Sequence, residues 1–303
     1  MLTRDPDAFF AYVADLPLDL ESTCAKSVFV VSPVGFRLSE QSARDNRYMQ
    51  NPLGADAEVA MAEHEALQAA LRQCLPVTVF NGDRQTPDAV FPNNAFAVTP
   101  RHLIVGHMRH PERQQETARE DIRSFFADTL GRELIDLSAQ PGICELTGSL
   151  IIDRGRGIGF CGLSERCDEI GAKAMYAAFG LKACLMFDLA PGEYHTNVVL
   201  SVLASRALLI APDGFSDRGI AAAITAFYQG RAIVLSEVQK AAYAGNGIAL
   251  TDDDVFLSST AVASLNESQR TQLAAYGFRL HQVPMPMLER AGGSLRCCVG
   301  EIY

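Results

Sequence analysis

The sequence predicts a mixed α/β protein assembled from repeats of about 50 residues, and two observations carry that expectation. Short β-rich runs alternate with helical stretches along the chain. Polar residues also recur at nearly constant intervals: Asn46, Asn94, Glu145, Asn197, Asn246 and Cys297 stand 48, 51, 52, 49 and 51 positions apart. Several of them directly introduce a short apolar strand. A fixed period of this length marks a repeat architecture, and in a radial array equivalent strand ends meet near the axis. The polar groups would then gather in one central site. Six anchors need only five blades if the first and last segments share one. No Gly/Ser linker or low-complexity tract interrupts the chain, so residues 1–303 are expected to form a single domain.

The expected strands, in chain order, are "SVFVVSP", "VTVFNG", "AFAVTP", "HLIVGH", "LIIDR", "GIGFCG", "VVLSVL", "ALLIAP", "AIVLSE", "IALTD", "VFLSS" and "FRLHQVPM". Each is rich in Val, Ile, Leu or Phe and most are bounded by Gly, Pro, Asn, Asp or Ser, the residues of turns. Between them, "DAEVAMAEHEALQAALRQC" has apolar residues at helical spacing and an acidic start. "PERQQETAREDIRSFFADTLG" opens on Pro and closes on Gly. "CDEIGAKAMYAAFG" and "NESQRTQLAAYG" also end at Gly, a common helix terminator.

Composition narrows the function. A net charge of −10 and a pI near 5.1, with no basic run, argue against nucleic acid, which is bound through clustered Lys and Arg. The same acidic shell would attract a small cationic substrate. The first twenty residues carry several Asp and no unbroken apolar segment, which predicts no secretory signal and a cytoplasmic protein. No stretch reaches the roughly 20 apolar residues of a membrane helix. The eight cysteines lack paired C-x-x-C spacing, so neither a zinc site nor disulfides are expected. Cys74, Cys161 and Cys184 read as small buried hydrophobes.

Three residues carry the candidate chemistry: Cys297, His195 and Glu145. A thiol becomes a nucleophile beside a group that favours thiolate, usually an imidazole. That imidazole can then protonate a leaving nitrogen. A carboxylate orients the imidazole or holds a cationic substrate. Gly292-Gly293 just before Cys297 permits close backbone approach to a ligand. His195 stands at the mouth of the apolar run "VVLSVLASRALLIA", whereas His64, His107 and His110 lie in charged surroundings and read as surface residues. A depressed Cys297 pKa is expected, with fast reaction towards mild thiol probes near pH 6–7.

The segments "VFPNNAFAV", "ELTGSLIIDR", "GLSER", "EYHTNVVLSV", "YAGNGIAL" and "GGSLRCCVGEI" together resemble the guanidino-group-modifying, or amidinotransferase, superfamily. The similarity runs from about Asn46 to the C-terminus, in the family's order. Within it the chain is most similar to the citrulline-utilising hydrolases, with dimethylarginine dimethylaminohydrolases, arginine deiminases and succinylarginine dihydrolases as cousins. The resemblance implies a five-bladed α/β propeller, the pentein. It also implies Cys297 as nucleophile, His195 as general acid/base and Glu145 as the active-site carboxylate. Asn93 and Asn94 would line the substrate end, Asn197 and Asn246 would join the substrate-binding residues, and Arg166 would either receive the substrate's α-carboxylate as a bidentate partner or form a surface salt bridge. Cys298, where relatives often carry Met, reads as packing.

The expected reaction is attack of the Cys297 thiolate on the planar carbon of a guanidino or ureido group, then hydrolysis of the S-linked intermediate, with no metal or organic cofactor. Deiminase-type relatives place a carboxylate where Asn94 stands. Two neutral amides here favour a ureido group, and so citrulline, giving ornithine, ammonia and carbon dioxide. Ala95 replaces the aromatic usual in citrulline-type relatives. Arginine deiminase, dimethylarginine dimethylaminohydrolase or amidinotransferase activity, and a non-catalytic amino-acid-binding propeller, are the alternatives. The expected partner is a small arginine-related molecule, with no nucleic acid and no membrane; a homo-oligomer is left open.

Overall fold

The computed structural model describes residues 1–19, 23–49 and 54–303. Its strands form five separate sheets with one shared plan. A short leading strand pairs antiparallel with a second strand, and a helix-bearing connection then brings a third strand in parallel. Such a connection is what a parallel neighbour requires. In chain order the leading, second and third strands are Phe96–Val98, His102–Val105 and Glu133–Asp136, then Leu150–Asp153, Ile158–Leu163 and Ala183–Asp188. Leu200–Leu203, Ala207–Ile210 and Ala232–Val234 follow, and then Ile248–Ala249, Asp254–Ser258 and Arg279–Val283.

The fifth sheet joins the two ends of the chain. Its leading strand is the C-terminal Gly300–Ile302, laid against Ser27–Val31, with Val77–Phe80 as third strand. Leu2–Thr3 adds an edge to the sheet of Ala183–Asp188. Leading strands pack on one another: Gly300–Ile302 against Phe96–Val98, and Leu200–Leu203 against both Leu150–Asp153 and Ile248–Ala249.

The helices Ala57–Leu71, Glu169–Ala178, Arg218–Phe227 and Glu267–Ala275 lie in the crossovers. Each starts where Asp or Asn accepts hydrogen bonds from the first-turn amides, at Asp56, Asp168, Asp217 and Asn266. Gly180 and Gly277 take φ values of +61° and +89° just beyond two of them, which ends the helix without a Cβ clash. The segment read as one helix from Pro111 is instead broken: Pro111–Thr117 ends, the chain turns at Ala118, and Glu120–Ser124 begins again. Arg123 Nε donates to the freed Thr117 carbonyl at 2.8 Å, which satisfies the break.

His64, expected at the surface, is fully buried on the inner face of Ala57–Leu71. Its Nδ1 meets Gln68 Nε2 at 3.0 Å, and its Nε2 has no hydrogen-bond partner among the described residues. Burial pushes its pKa down from 6.5 to about 4. A histidine that must stay neutral when folded costs stability wherever the unfolded chain would protonate it. That contribution is intact above pH 6.5 and is lost as pH falls from 6.5 towards 4. His64→Leu is therefore expected to flatten the urea-midpoint profile across that window; an unchanged slope would show that His64 does not titrate there.

Candidate active site

A helical turn precedes four of the five leading strands: Pro92–Asn94, Leu146–Ser149, Thr196–Val199 and Leu295–Cys298. Ahead of the fifth, Asn246 follows a turn at 242–245. Each turn aims a polar side chain inwards where the leading strands converge, and Asn94, Glu145, His195, Asn197, Asn246 and Cys297 are all at most 3 % exposed.

These residues meet in two groups. Around the thiol, Asn246 Nδ2 lies 3.4 Å and Asn197 Nδ2 3.6 Å from Cys297 Sγ. Asn246 is held in place by its own bonds, donating to the Asn197 carbonyl at 2.8 Å and accepting from the Arg296 amide at 3.0 Å. Around the acid, His195 Nε2 is 2.9 Å from Glu145 Oε2. Arg166 Nη1 reaches the same oxygen at 3.1 Å, and the Arg109 amide donates to Oε1 at 3.2 Å.

A cavity of about 20 Å³ adjoins both groups, lined by Cys297, Asn94, Asp88, Arg113, Arg166 and Tyr194 among others. It is scarcely larger than one water. His195 is not a lining residue, but it touches two that are. Its ring stacks obliquely on Tyr194 with centroids 4.5 Å apart. A Cβ on Gly148 would stand 2.5 Å from Asn94 Oδ1 and 2.8 Å from His195 Nδ1, so only glycine lets these two side chains close over that turn. Both of those atoms are buried without a hydrogen-bond partner among the described residues, as are the two amide ends of Asn93. Asn93 itself stands outside the cavity lining, where its carbonyl accepts from Thr147 Oγ1 at 3.0 Å.

The charges explain the protonation states. Burial alone would raise the Glu145 carboxyl, but the Arg166 charge, the His195 bond and Arg113 outweigh it and hold the pKa well below the carboxylate range. Burial lowers the His195 pKa despite the Glu145 anion, so the imidazole is neutral at pH 7. Burial also pushes the Cys297 thiol up, against the Ser294, Asn246 and Arg296 groups that favour thiolate. The expected depression of its pKa is thus reversed: the sulfur is paired with neutral amides and not with a cation. Cys298 is fully buried in an apolar cluster that includes Leu250 and Phe256, in keeping with packing.

Arg166 is committed elsewhere than to an open α-carboxylate site. Its Nε lies 3.1 Å from both Asp45 oxygens, and Nη2 donates to the Ser42 carbonyl at 3.3 Å while Nη1 holds Glu145. Asp45 also takes His110 Nε2 at 3.0 Å, so His110 is a buried member of this network and not a surface residue. Sequence reading missed Asp45, Asp88, Arg113 and Tyr194. Asp88 Oδ1 has no hydrogen-bond partner among the described residues and is buried against the cavity, and its other oxygen accepts from Ser42. The two amides are thus accompanied by a carboxyl, Asp88, in the cavity lining, which removes the argument from neutral amides for a ureido substrate. The one available signal was position: Asp88 opens the "DAVFPNN" stretch that ends in Asn94.

Known proteins share this architecture. A family model described as N,N-dimethylarginine dimethylhydrolase, eukaryotic, matches residues 32–303. The N(G),N(G)-dimethylarginine dimethylaminohydrolase of Mycobacterium tuberculosis is 25 % identical over 259 residues, covering 85 % of this chain and 80 % of that protein. The bifunctional arginine dihydrolase/ornithine cyclodeaminase ArgZ of Synechocystis is 24 % identical over 79 % of this chain, which spans only 33 % of ArgZ. Among solved structures, the N-terminal domain of the cyanobacterial ArgZ bound to substrate superposes with a TM-score of 0.81 at 19 % identity, covering 91 % of this chain and 98 % of that one. A dimethylarginine dimethylaminohydrolase carrying an S-methyl-L-thiocitrulline adduct gives 0.72 at 22 % identity, covering 92 % and 100 %. With nine-tenths of its length matched, the chain belongs to the N,N-dimethylarginine dimethylhydrolase family of the pentein superfamily, and is a guanidino-modifying hydrolase of non-peptide carbon–nitrogen bonds.

Proposed function

We propose that the protein is a cysteine-dependent hydrolase of the guanidinium group of arginine or an N-methylated arginine, working in a single α/β-propeller domain whose blades are the five sheets. The unpartnered carboxylate oxygen of Asp88 carries this reading. Arg113 is neutralised by Glu116, at 3.0 and 2.9 Å, and Arg166 by Asp45 and Glu145. Asp88 is then the carboxyl left without a counter-charge of its own: burial raises its pKa against the pull of Arg113 and Arg166, and a cationic ligand would offset that desolvation.

In this reading the substrate cation draws the Cys297 thiol to thiolate, because a positive charge beside the sulfur offsets its desolvation, and the thiol proton passes to the neutral His195, which thereby becomes the acid of the next step. Sγ bonds to the guanidinium carbon, and the terminal C–N bond breaks as His195 delivers a proton to the departing amine. Water then adds to the same carbon, His195 takes its proton, and the S–C bond breaks to return the thiol. Glu145 keeps His195 oriented and stabilises its protonated form. Arg166 acts through Glu145. Arginine would give citrulline and ammonia; N-dimethylarginine would give citrulline and dimethylamine.

Asn94 favours a second reading. Its amide oxygen is unpartnered beside the cavity and can accept from a ureido NH₂, which suits citrulline as substrate or a second hydrolysis to ornithine. Incubation with arginine, N-dimethylarginine and citrulline in separate reactions, with chromatography of citrulline, ornithine and amines, separates the readings. Citrulline formed from a guanidino substrate is expected. Ornithine from citrulline, with no turnover of either guanidino compound, would overturn the first reading in favour of the second.

A further inference from the structure

Apart from the candidate active site, one further group of ligating side chains stands out among the described residues. Cys74 follows the helix Ala57–Leu71 and its amide closes the helix end on the Leu71 carbonyl at 3.0 Å. Asp254 opens the strand Asp254–Ser258 and is 5 % exposed. His281 lies on the neighbouring parallel strand, two residues beyond Arg279, the register partner of Asp254. One donor atom from each of Cys74, Asp254 and His281 lies within 4.8 Å of the other two.

We propose that Cys74, Asp254 and His281 form a zinc site on the outer side of the fold, separate from the reaction centre. Thiolate, imidazole and carboxylate are the three zinc donors, and zinc accepts them at about 2.0–2.3 Å, which places tetrahedral donors about 3.3–3.8 Å from one another. The side chains are held close together by bonds that converge on the Asp254 carboxylate. The His281 ring stacks on Phe256 with centroids 4.5 Å apart and planes at 11°, and its Nε2 is directed at Asp254 Oδ1, 2.7 Å away. Thr251 Oγ1 fixes the other carboxylate oxygen at 2.6 Å. Arg279 holds both oxygens of Asp254, at 2.9 and 2.8 Å, from a side chain that is 68 % exposed. It supplies positive charge to the carboxylate and is free to swing into solvent when a dication takes its place. On binding, Cys74 releases its thiol proton to solvent, His281 Nε2 gives up its bond to Asp254 and turns a lone pair to the metal with the ring proton carried on Nδ1, Asp254 exchanges Arg279 for the metal, and a water completes four ligands.

The ligands come from three distant segments, so a search for closely spaced cysteine pairs does not find them. Zinc here would staple the segment leading into Val77–Phe80 onto the sheet of Arg279–Val283. Those two sheets contain the leading strands that follow Cys297 and Asn246. The expected consequence is metal-dependent stability.

The test uses the full-length chain stripped with a chelator, in wild type and in Cys297→Ala, which removes the reactive-site thiol as a competing ligand. Zinc is titrated by calorimetry, and cobalt is added to a second sample to read the thiolate-to-metal absorption band. Cys297→Ala is expected to bind one zinc, to show the cobalt band and to melt at higher temperature with metal. Cys74→Ser should lose the band, and Cys74→Ser and His281→Gln should each weaken zinc more than about tenfold. No zinc bound to Cys297→Ala, or binding and band unchanged by both substitutions, would overturn the site.

Discussion

Cys297→Ser is expected to lower kcat by at least about a thousandfold, with the fold retained by circular dichroism. A serine hydroxyl ionises far less readily than a thiol and no strong base touches this position; the groups around Sγ are the amides of Asn197 and Asn246. The adjacent Cys298 offers no substitute, because it is packed in the core and burial pushes its pKa well above the ordinary value. The wild-type thiol should show the complementary behaviour. Since burial holds its pKa above 9.0, alkylation by iodoacetamide should accelerate with every step in pH from 6 to 9, by about tenfold per unit. Guanidino substrates should protect it. Turnover surviving in the serine variant would remove the sulfur from the reaction.

Glu145→Gln is expected to damage activity and stability together. The carboxylate orients His195, and losing a positioned acid–base partner lowers kcat by about 10²–10⁴. It also faces Arg166 at 3.1 Å and Arg113 at 3.7 Å, both buried. Each cation keeps a second carboxylate, Asp45 for Arg166 and Glu116 for Arg113, so the cost is that of weakened charge-assisted hydrogen bonds, about 1.5–3 kcal/mol. The pH dependence has a definite sign. The folded carboxyl pKa lies below its ordinary 4.5, so its contribution is complete above that value and is lost as pH falls below it. The glutamine variant should have a lower melting temperature at pH 7 and a shallower acid limb than wild type. A variant that melts like wild type at every pH would contradict the ion-pair network; one that is fully active would contradict the role of His195's partner.

Much of the scaffold is legible in local chemistry. Runs such as "SVFVV" and "ALLI" are strands because they are continuous apolar stretches between turn residues, buried on both faces. Where that signal is absent the reading fails. Glu133–Asp136 is a strand with mostly exposed, partly charged residues at a sheet edge, and it looks like the tail of a helix. In "VVLSVL" the first two residues belong to a helical turn, since apolar identity alone cannot separate a buried turn from the strand it feeds. The polar anchors were visible through their period. Asp45, Arg113 and Asp88 were not, because their roles arise from pairings such as Asp45 with Arg166, 121 positions apart, for which no local pattern exists. The reversed Cys297 ionisation was hidden for the same reason: it follows from what surrounds the sulfur, not from its neighbours in the chain.

The separate helical turns that introduce the leading strands have a consequence for how such a molecule can change. Asn94, Glu145, His195 and Cys297 belong to different repeats, and no turn delivers more than one or two of them. A new side chain in one repeat therefore alters one wall of the cavity while the others keep their geometry. Preference among related nitrogen compounds can drift stepwise under selection, one turn at a time, without passing through an ancestor whose whole reaction centre had to be rebuilt.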